Sequence, residues 1–293
     1  MAVAGKRCDA QPAQLEYKVM AQAAQVELLP ASQVAQQTPV HQAANRLSYA
    51  IFADAHLTIQ DLEPIVQAVP ASIAAGLTRH AYYFVPLTIW ETEETMVAPG
   101  YTVELGDRAI CHRNVHFDGA ECVFISARLM QDRFALAFEF FINVGHHFVN
   151  AAGVPQSFCD LAWAQALADV RGETSQESYE NRRRATDRAG VDSFAARPLG
   201  RGAGRGERSP APRKGEIHRF DEKAKTDFFE SAFSDALAIY MLSLALDFSY
   251  ADLREREYPL LAAPALAERL RHVASLFPAN PGYEFQISYR HTA

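Results

Sequence analysis

Four polar side chains recur at helical spacing in an otherwise apolar stretch of this sequence. They are Glu139, Asn143, His146 and Asn150, within the segment RFALAFEFFINVGHHFVNAAG. At 100° per residue, all four fall within about 60° of one another on a helix surface. Carboxylate, amide and imidazole groups can bind a metal ion, move a proton or hold a ligand through hydrogen bonds. Because burying an unpaired polar side chain costs about 1–3 kcal/mol, the stripe must face polar partners, water or a cleft.

A second apolar helix is predicted in the segment TDFFESAFSDALAIYMLSLAL, with Thr226 as its N-cap. Its polar face carries carboxylates and hydroxyls, at Asp227, Glu230, Ser231, Ser234 and Asp235. One helix therefore offers histidine and amides, and the other offers carboxylates. This is the division of ligands in a zinc site built on two helices.

The two segments together resemble a known family. Gly-His-His-Phe-Val-Asn at 145–150, followed after an insertion by Asp-Phe-Phe-Glu-Ser-Ala-Phe at 227–233, resembles the anthrax lethal factor type of zincin metallopeptidase. The resemblance covers roughly residues 121–277 and implies a zincin-like fold. It also implies that an extended peptide lies along the edge strand before the first helix, for which residues 121–126 are the best candidate.

The family's zinc site maps onto five positions of this chain. His146 matches the first ligand histidine, whereas His147 stands at the position of the catalytic glutamate. Asn150 replaces the second ligand histidine, Asp227 replaces the ligand glutamate, and Phe220 replaces the tyrosine. The general base, one imidazole ligand and the tyrosine hydroxyl are thus missing, and the acidic ligand is one methylene shorter. The resemblance therefore implies a peptidase-like fold that has lost its chemistry and kept a cleft.

The first functional hypothesis is accordingly a catalytically degenerate, metallopeptidase-like binding or scaffolding module for a protein or an extended peptide. Its cleft is expected to include Glu139, Asn143 and Glu230, with no cofactor, or with zinc on His146 and Asp227 if the site is retained. Two alternatives stay open. One is an active metal enzyme, either a zinc peptidase with unusual ligands or an iron oxidase on the two helices. The other is a structural or assembly protein in which the polar stripes are packing ladders.

A further group of histidines precedes the first helix. His112 and His116 are four residues apart, which places both on one face of a strand, and with His80 they could reach a metal ion. The alternative interpretation is a set of partly exposed strand histidines without a metal.

The surrounding elements are predicted to be helices, then short strands, then helices, which is typical of an α+β protein. Residues 39–57 and 58–69 are predicted as helices, the second opened by Thr58 and Asp61. Strands are predicted at 80–91, 100–105, 108–117 and 121–129, where β-branched and aromatic residues are frequent. The predicted organisation is a helical N-terminal region, 1–77, and a zincin-like domain, 78–293.

Charge is distributed unevenly along the 293 residues, whose net charge is -7. Residues 171–225 carry 14 of the 28 basic side chains and 9 of the 35 acidic ones. Low hydrophobicity and many Gly and Pro predict a disordered basic insertion at about 173–218. Because aromatic residues are not interleaved with its arginines, we interpret it as a solvated loop rather than a nucleic-acid contact. No stretch is apolar enough to predict a membrane span or a signal peptide, so the sequence predicts a cytoplasmic protein or one exported without such a signal.

Overall fold

The computed structural model describes residues 27–91, 93–117, 119–130, 132–186, 221–253 and 258–287. Phe220 and residues 187–218 of the predicted insertion lie outside the described residues. The helices of the described part are α1 (Ala31–Gln37), α2 (Ile59–Gln67), α3 (Ala71–Ala74), α4 (Val103–Gly106), α5 (Arg133–Ala152), α6 (Gln156–Leu167), α7 (Gln176–Thr186), α8 (Glu222–Ala245) and α9 (Ala263–Leu276).

The strands form two sheets, and this mixture of sheets and helices confirms the predicted α+β class. The strands are β1 (Leu29–Pro30), β2 (His41–Gln42), β3 (Ser48–Ile51), β4 (His80–Val85), β5 (Leu87–Glu91), β6 (Glu94–Ala98), β7 (Ala109–Ile110), β8 (His112–Phe117) and β9 (Ala120–Ser126). The smaller sheet has the order β1-β6-β5-β7, and the larger has the order β2-β3-β4-β9-β8. In the larger sheet β3, β4 and β9 are parallel, whereas β2 and β8 pair antiparallel at the two edges.

The two faces of the larger sheet pack against different layers. Tyr82 and Phe84 of β4 belong to the main core, which also holds α5 and α8. Their chain neighbours Tyr83 and Val85 point the other way, into a second core that includes α1. This alternation follows from the two-residue period of a strand. The face toward α5 is therefore the one that carries residues 80, 82 and 84.

Helix α5 has the predicted limits. The Asp132 carboxylate accepts a hydrogen bond from the Ala135 backbone N–H at 2.8 Å, and Gly153 ends the helix with a φ of 74°. Near its middle, α5 lies close to α8. A Cβ on Gly145 would be only 2.7 Å from the Ser234 carbonyl oxygen, so this position requires glycine for the helices to approach. Helix α8 begins earlier than predicted, because Asp221 rather than Thr226 is its N-cap.

The predicted helix at residues 39–57 is wrong, since this stretch contains strands β2 and β3. Its apolar run is short, and periodicity does not separate a buried strand from a helix over such a length. The next helix is confirmed, with Thr58 and Asp61 forming a capping box. Because β3 pairs with β4, the predicted boundary at residue 78 runs through one sheet rather than between two cores.

Two strand predictions are also wrong. Residues 100–105 do not form a strand, because Thr102 caps the short helix α4. The predicted edge, residues 121–126, lies inside the larger sheet, where β9 pairs with β4 on one side and β8 on the other. Strand β8 is the edge of the larger sheet next to β9, and its hairpin with β9 is followed by a 3-10 turn (Ala127–Leu129) and then by α5.

The start of the predicted insertion is wrong as well. Glu173 is completely buried, and α7 packs along α8. Helix α8 is the one described helix whose length and hydropathy suit a membrane span, but 72% of its most apolar window is buried within the fold. A buried core helix of a globular protein has these same properties.

Candidate functional site

A cluster of polar side chains lies between α5 and the larger sheet, close to the β8 edge. We call it the histidine cluster, and it consists of His80, Tyr82, Asn114, Glu121 and His147. Strand register explains how these residues meet. Glu121 of β9 lies opposite His80 of β4 on one side and His116 of β8 on the other. Two residues further along β9, Val123 lies opposite Tyr82 of β4 on one side and Asn114 of β8 on the other. All these side chains point toward α5.

His147 is the centre of the cluster, and only 3% of its side chain is exposed. Its Nε2 lies 2.9 Å from the Asn114 Nδ2 and its Nδ1 lies 3.3 Å from the Tyr82 hydroxyl. Burial, followed by the charges of nearby histidines, lowers the pKa of His147 to about 3. The imidazole is therefore neutral near pH 7. In the matching tautomer, Nε2 accepts from the Asn114 amide and Nδ1–H donates to the Tyr82 hydroxyl.

Glu121 places its carboxylate between two imidazoles. Its Oε2 lies 3.6 Å from His80 Nε2, and its Oε1 lies 3.8 Å from His147 Nε2. Burial lowers the pKa of His80, although Glu121 acts in the opposite direction. The Nδ1 atom of His80 is buried without a hydrogen-bond partner among the described residues. This part of the cluster is polar but incompletely paired.

Part of the predicted polar stripe forms contacts within the protein, and part of it is exposed to solvent. Glu139 contacts His112 of the edge strand, with 2.5 Å between Oε1 and Nδ1. Asn143 donates from its Nδ2 to the Glu139 backbone carbonyl at 2.8 Å. Asn143 is buried, whereas Asn150 at the end of the helix is exposed. The stripe thus starts as a hydrogen-bonded ladder and ends in solvent.

The residues at the zincin ligand positions are not assembled as a ligand set. His146 is partly exposed and acts on His147 through charge, while Asp227 is bound by Lys223, with 2.8 Å between Oδ2 and Nζ. Glu230 is exposed. Within the described ranges, no three His, Cys, Asp or Glu residues are grouped to hold a metal ion. These residues as placed do not fit zinc.

The strand histidines occupy the predicted face of β8, but they do not converge. His112 contacts Glu139, whereas His116 lies at the other end of the strand beside Glu121. The sequence did not predict that Tyr82 or Asn114 belongs to a functional site, and the aromatic residues around Tyr82 were interpreted as sheet core. The alternation of His112, Asn114 and His116 was the available signal, since it places an amide on the same strand face as the two histidines.

A second buried polar group, the arginine cluster, joins α6, α7, α9 and the loop before α7. It consists of Gln165, Glu173, Arg182 and Arg269. Arg269 donates to both carboxylate oxygens of Glu173, at 2.7 and 3.1 Å, and to Gln165 at 2.8 Å. Arg182 donates to the carbonyls of Val170 and Gly172 at 2.6 and 2.9 Å.

Comparison with family models, with curated proteins and with solved structures finds no match to this chain.

Proposed function

We propose that this chain is a catalytically degenerate, metallopeptidase-like binding module that captures an extended segment of a protein or peptide along β8. The zincin-like assignment of the fold is part of this proposal. Support comes from the order of elements in the larger sheet. An antiparallel edge strand forms a hairpin with a parallel strand, and the next long element of the chain is helix α5.

The observation that carries the proposal is the exposure of β8 beside α5, where His147 stands at the position of the family's catalytic glutamate. Four of the six residues of β8 are exposed, namely His112, Arg113, Asn114 and His116. Among the described strands β8 pairs with β9 alone, so its outer backbone groups are available to an added strand. Beneath it, the position of the family's general base is His147, a buried neutral imidazole already held by Asn114 and Tyr82.

The test uses the full chain and synthetic extended peptides. We expect peptides of eight to ten residues to bind without being cleaved, since backbone hydrogen bonds supply the attachment and the general-base position of the family holds His147 instead of a glutamate. The matched control is the same peptide with N-methyl groups on alternate amides, which cannot pair with a strand edge. Peptide turnover that is inhibited by a chelator and abolished in His146→Ala would contradict the proposal and favour the metal-enzyme alternative.

A further inference from the structure

We infer that the β8 edge selects extended peptides with two basic side chains four residues apart. This inference rests on the proposed function and specifies its ligand. It follows from the charges that line the two faces of the edge strand.

The face toward α5 carries two carboxylates at opposite ends of β8. Glu139 lies beside His112, and Glu121 lies opposite His116 in the β8–β9 register. Among the ion pairs of the described residues, both glutamates pair with histidines and neither pairs with Lys or Arg. Both are partly accessible, with 18% of the Glu139 side chain and 31% of the Glu121 side chain exposed.

The imidazoles of His80 and His147 do not neutralise Glu121. His80 and His147 lie within 3.8 Å of its carboxylate. Burial lowers the pKa of both histidines, and that of His147 falls to about 3. The negative charge of Glu121 therefore remains available to a basic ligand. An Arg or Lys from an added strand could form a charge-assisted hydrogen bond there.

Strand geometry sets the spacing of the basic residues. Four residues separate His112 from His116, a distance of about 14 Å along an extended strand. An added strand runs beside β8 and alternates its side chains between the same two faces. Its residues i and i+4 therefore lie beside His112 and His116, with β8 between the added strand and Glu121, and residue i+2 lies beside Asn114. Long basic side chains can reach back from the neighbouring strand.

The opposite face explains why an odd spacing is disfavoured. Arg113 points away from α5 and lies over the Trp90 ring, 4.0 Å from its centroid. A peptide with basic residues at i and i+3 would direct one of them to this face. Like charges would then approach each other, which costs binding free energy. Both faces of β8 therefore favour an even separation in sequence between the two basic side chains, as in the i, i+4 spacing.

The experiment compares two peptides of identical composition, with arginines at i and i+4 or at i and i+3, by fluorescence anisotropy on the full chain. We expect the i, i+4 peptide to bind about 5-fold more tightly, because the i, i+3 peptide loses one partly screened ion pair, worth about 0.5–1 kcal/mol, and places an arginine near Arg113. Glu121→Gln and Glu139→Gln should each weaken binding of this peptide about 3-fold, and the double variant should reduce the preference to the part that repulsion by Arg113 supplies. Glu180→Gln, which changes an exposed glutamate of α7, is the matched control.

Failure of this inference is distinguishable from failure of the proposed function. Equal binding of the two peptides, unaffected by the glutamate variants, would overturn the inference and leave strand capture intact. No binding of any extended peptide would contradict both. Binding that appears only after deletion of residues 187–220 would also overturn it, because that basic segment would then be the occupant. If the chain forms dimers that the peptide does not dissociate, the occupant of the β8 edge would be a second copy of the chain, and the inference would be wrong.

Discussion

The histidine cluster and the arginine cluster are both buried polar groups, but they differ in how completely they are paired. In the arginine cluster, both oxygens of Glu173 accept from Arg269, and backbone carbonyls accept from Arg182. In the histidine cluster, His80 keeps a buried nitrogen without a described partner. A buried charge that has all its partners fixes one arrangement of the chain. A cluster of neutral imidazoles at an exposed edge leaves hydrogen-bonding capacity for a ligand.

The two clusters therefore have different expected consequences when they are changed. Removing an ion from the arginine cluster leaves an uncompensated charge inside the protein. Changing the histidine cluster alters groups that are already neutral or partly exposed. We expect stability to depend mainly on the first cluster, and pH dependence and binding to depend mainly on the second.

The largest effect is expected for Glu173→Gln. This change leaves Arg269 fully buried without its anionic partner, and it should lower the free energy of unfolding by about 3–5 kcal/mol. Urea denaturation of both proteins measures it. The control is Glu180→Gln, whose partner Arg184 is exposed, and which should cost less than about 0.5 kcal/mol. Similar small losses in both variants would mean that the arginine cluster does not hold the helices together.

A smaller effect is expected from pH. The pKa of His147 is about 3 in the folded protein and near 6.5 when unfolded, so protons favour the unfolded state. Its contribution to stability is complete above about pH 6.5 and is lost as the pH falls toward 3. Between pH 7 and pH 5, the native protein should lose about 2 kcal/mol more than His147→Gln.

Denaturant unfolding at several pH values checks this expectation. His80, whose pKa is also lowered, contributes with the same sign and remains in both proteins. The informative quantity is thus the difference between the two curves. Parallel curves for the native protein and His147→Gln would show that His147 is accessible to protons in the folded state.

The smallest effect on stability is expected for Glu139→Gln. Its partner His112 is 40% exposed, and so the change should cost less than about 1 kcal/mol. Thermal unfolding measures this cost, and peptide affinity measured on the same preparation shows whether binding is lost separately. A large loss of stability would place Glu139 with the structural residues and would remove the distinction between the clusters.

The sequence predicted those features whose signals are local. Asp132 and Gly153 delimit α5, and Thr58 with Asp61 opens α2, because caps act within one helical turn. The spacing of Glu139 and Asn143 also predicted correctly that they share one face of a helix. Strand β3 was missed because its apolar run is too short to show a period.

The histidine cluster could not be predicted in full, because its members come from four separate elements. His147 meets Asn114 and Tyr82 only through the register of β4, β9 and β8, which local sequence does not encode. The prediction that residues 121–126 form the edge strand was wrong for the same reason, since the parallel pairing of β9 with β4 joins segments that are distant in the sequence. The arginine cluster was missed because Glu173 and Arg182 appeared to belong to a charged insertion.

Hydrogen exchange across β8 tests the central claim most directly. The full chain is measured with and without the i, i+4 basic peptide, each with and without a metal chelator, and the peptide is recovered afterwards. Strand capture predicts slower exchange within residues 112–117 and recovery of intact peptide. Unchanged exchange in β8, or recovery of a cleaved peptide from a chelator-free sample but not from a chelated one, would contradict the account.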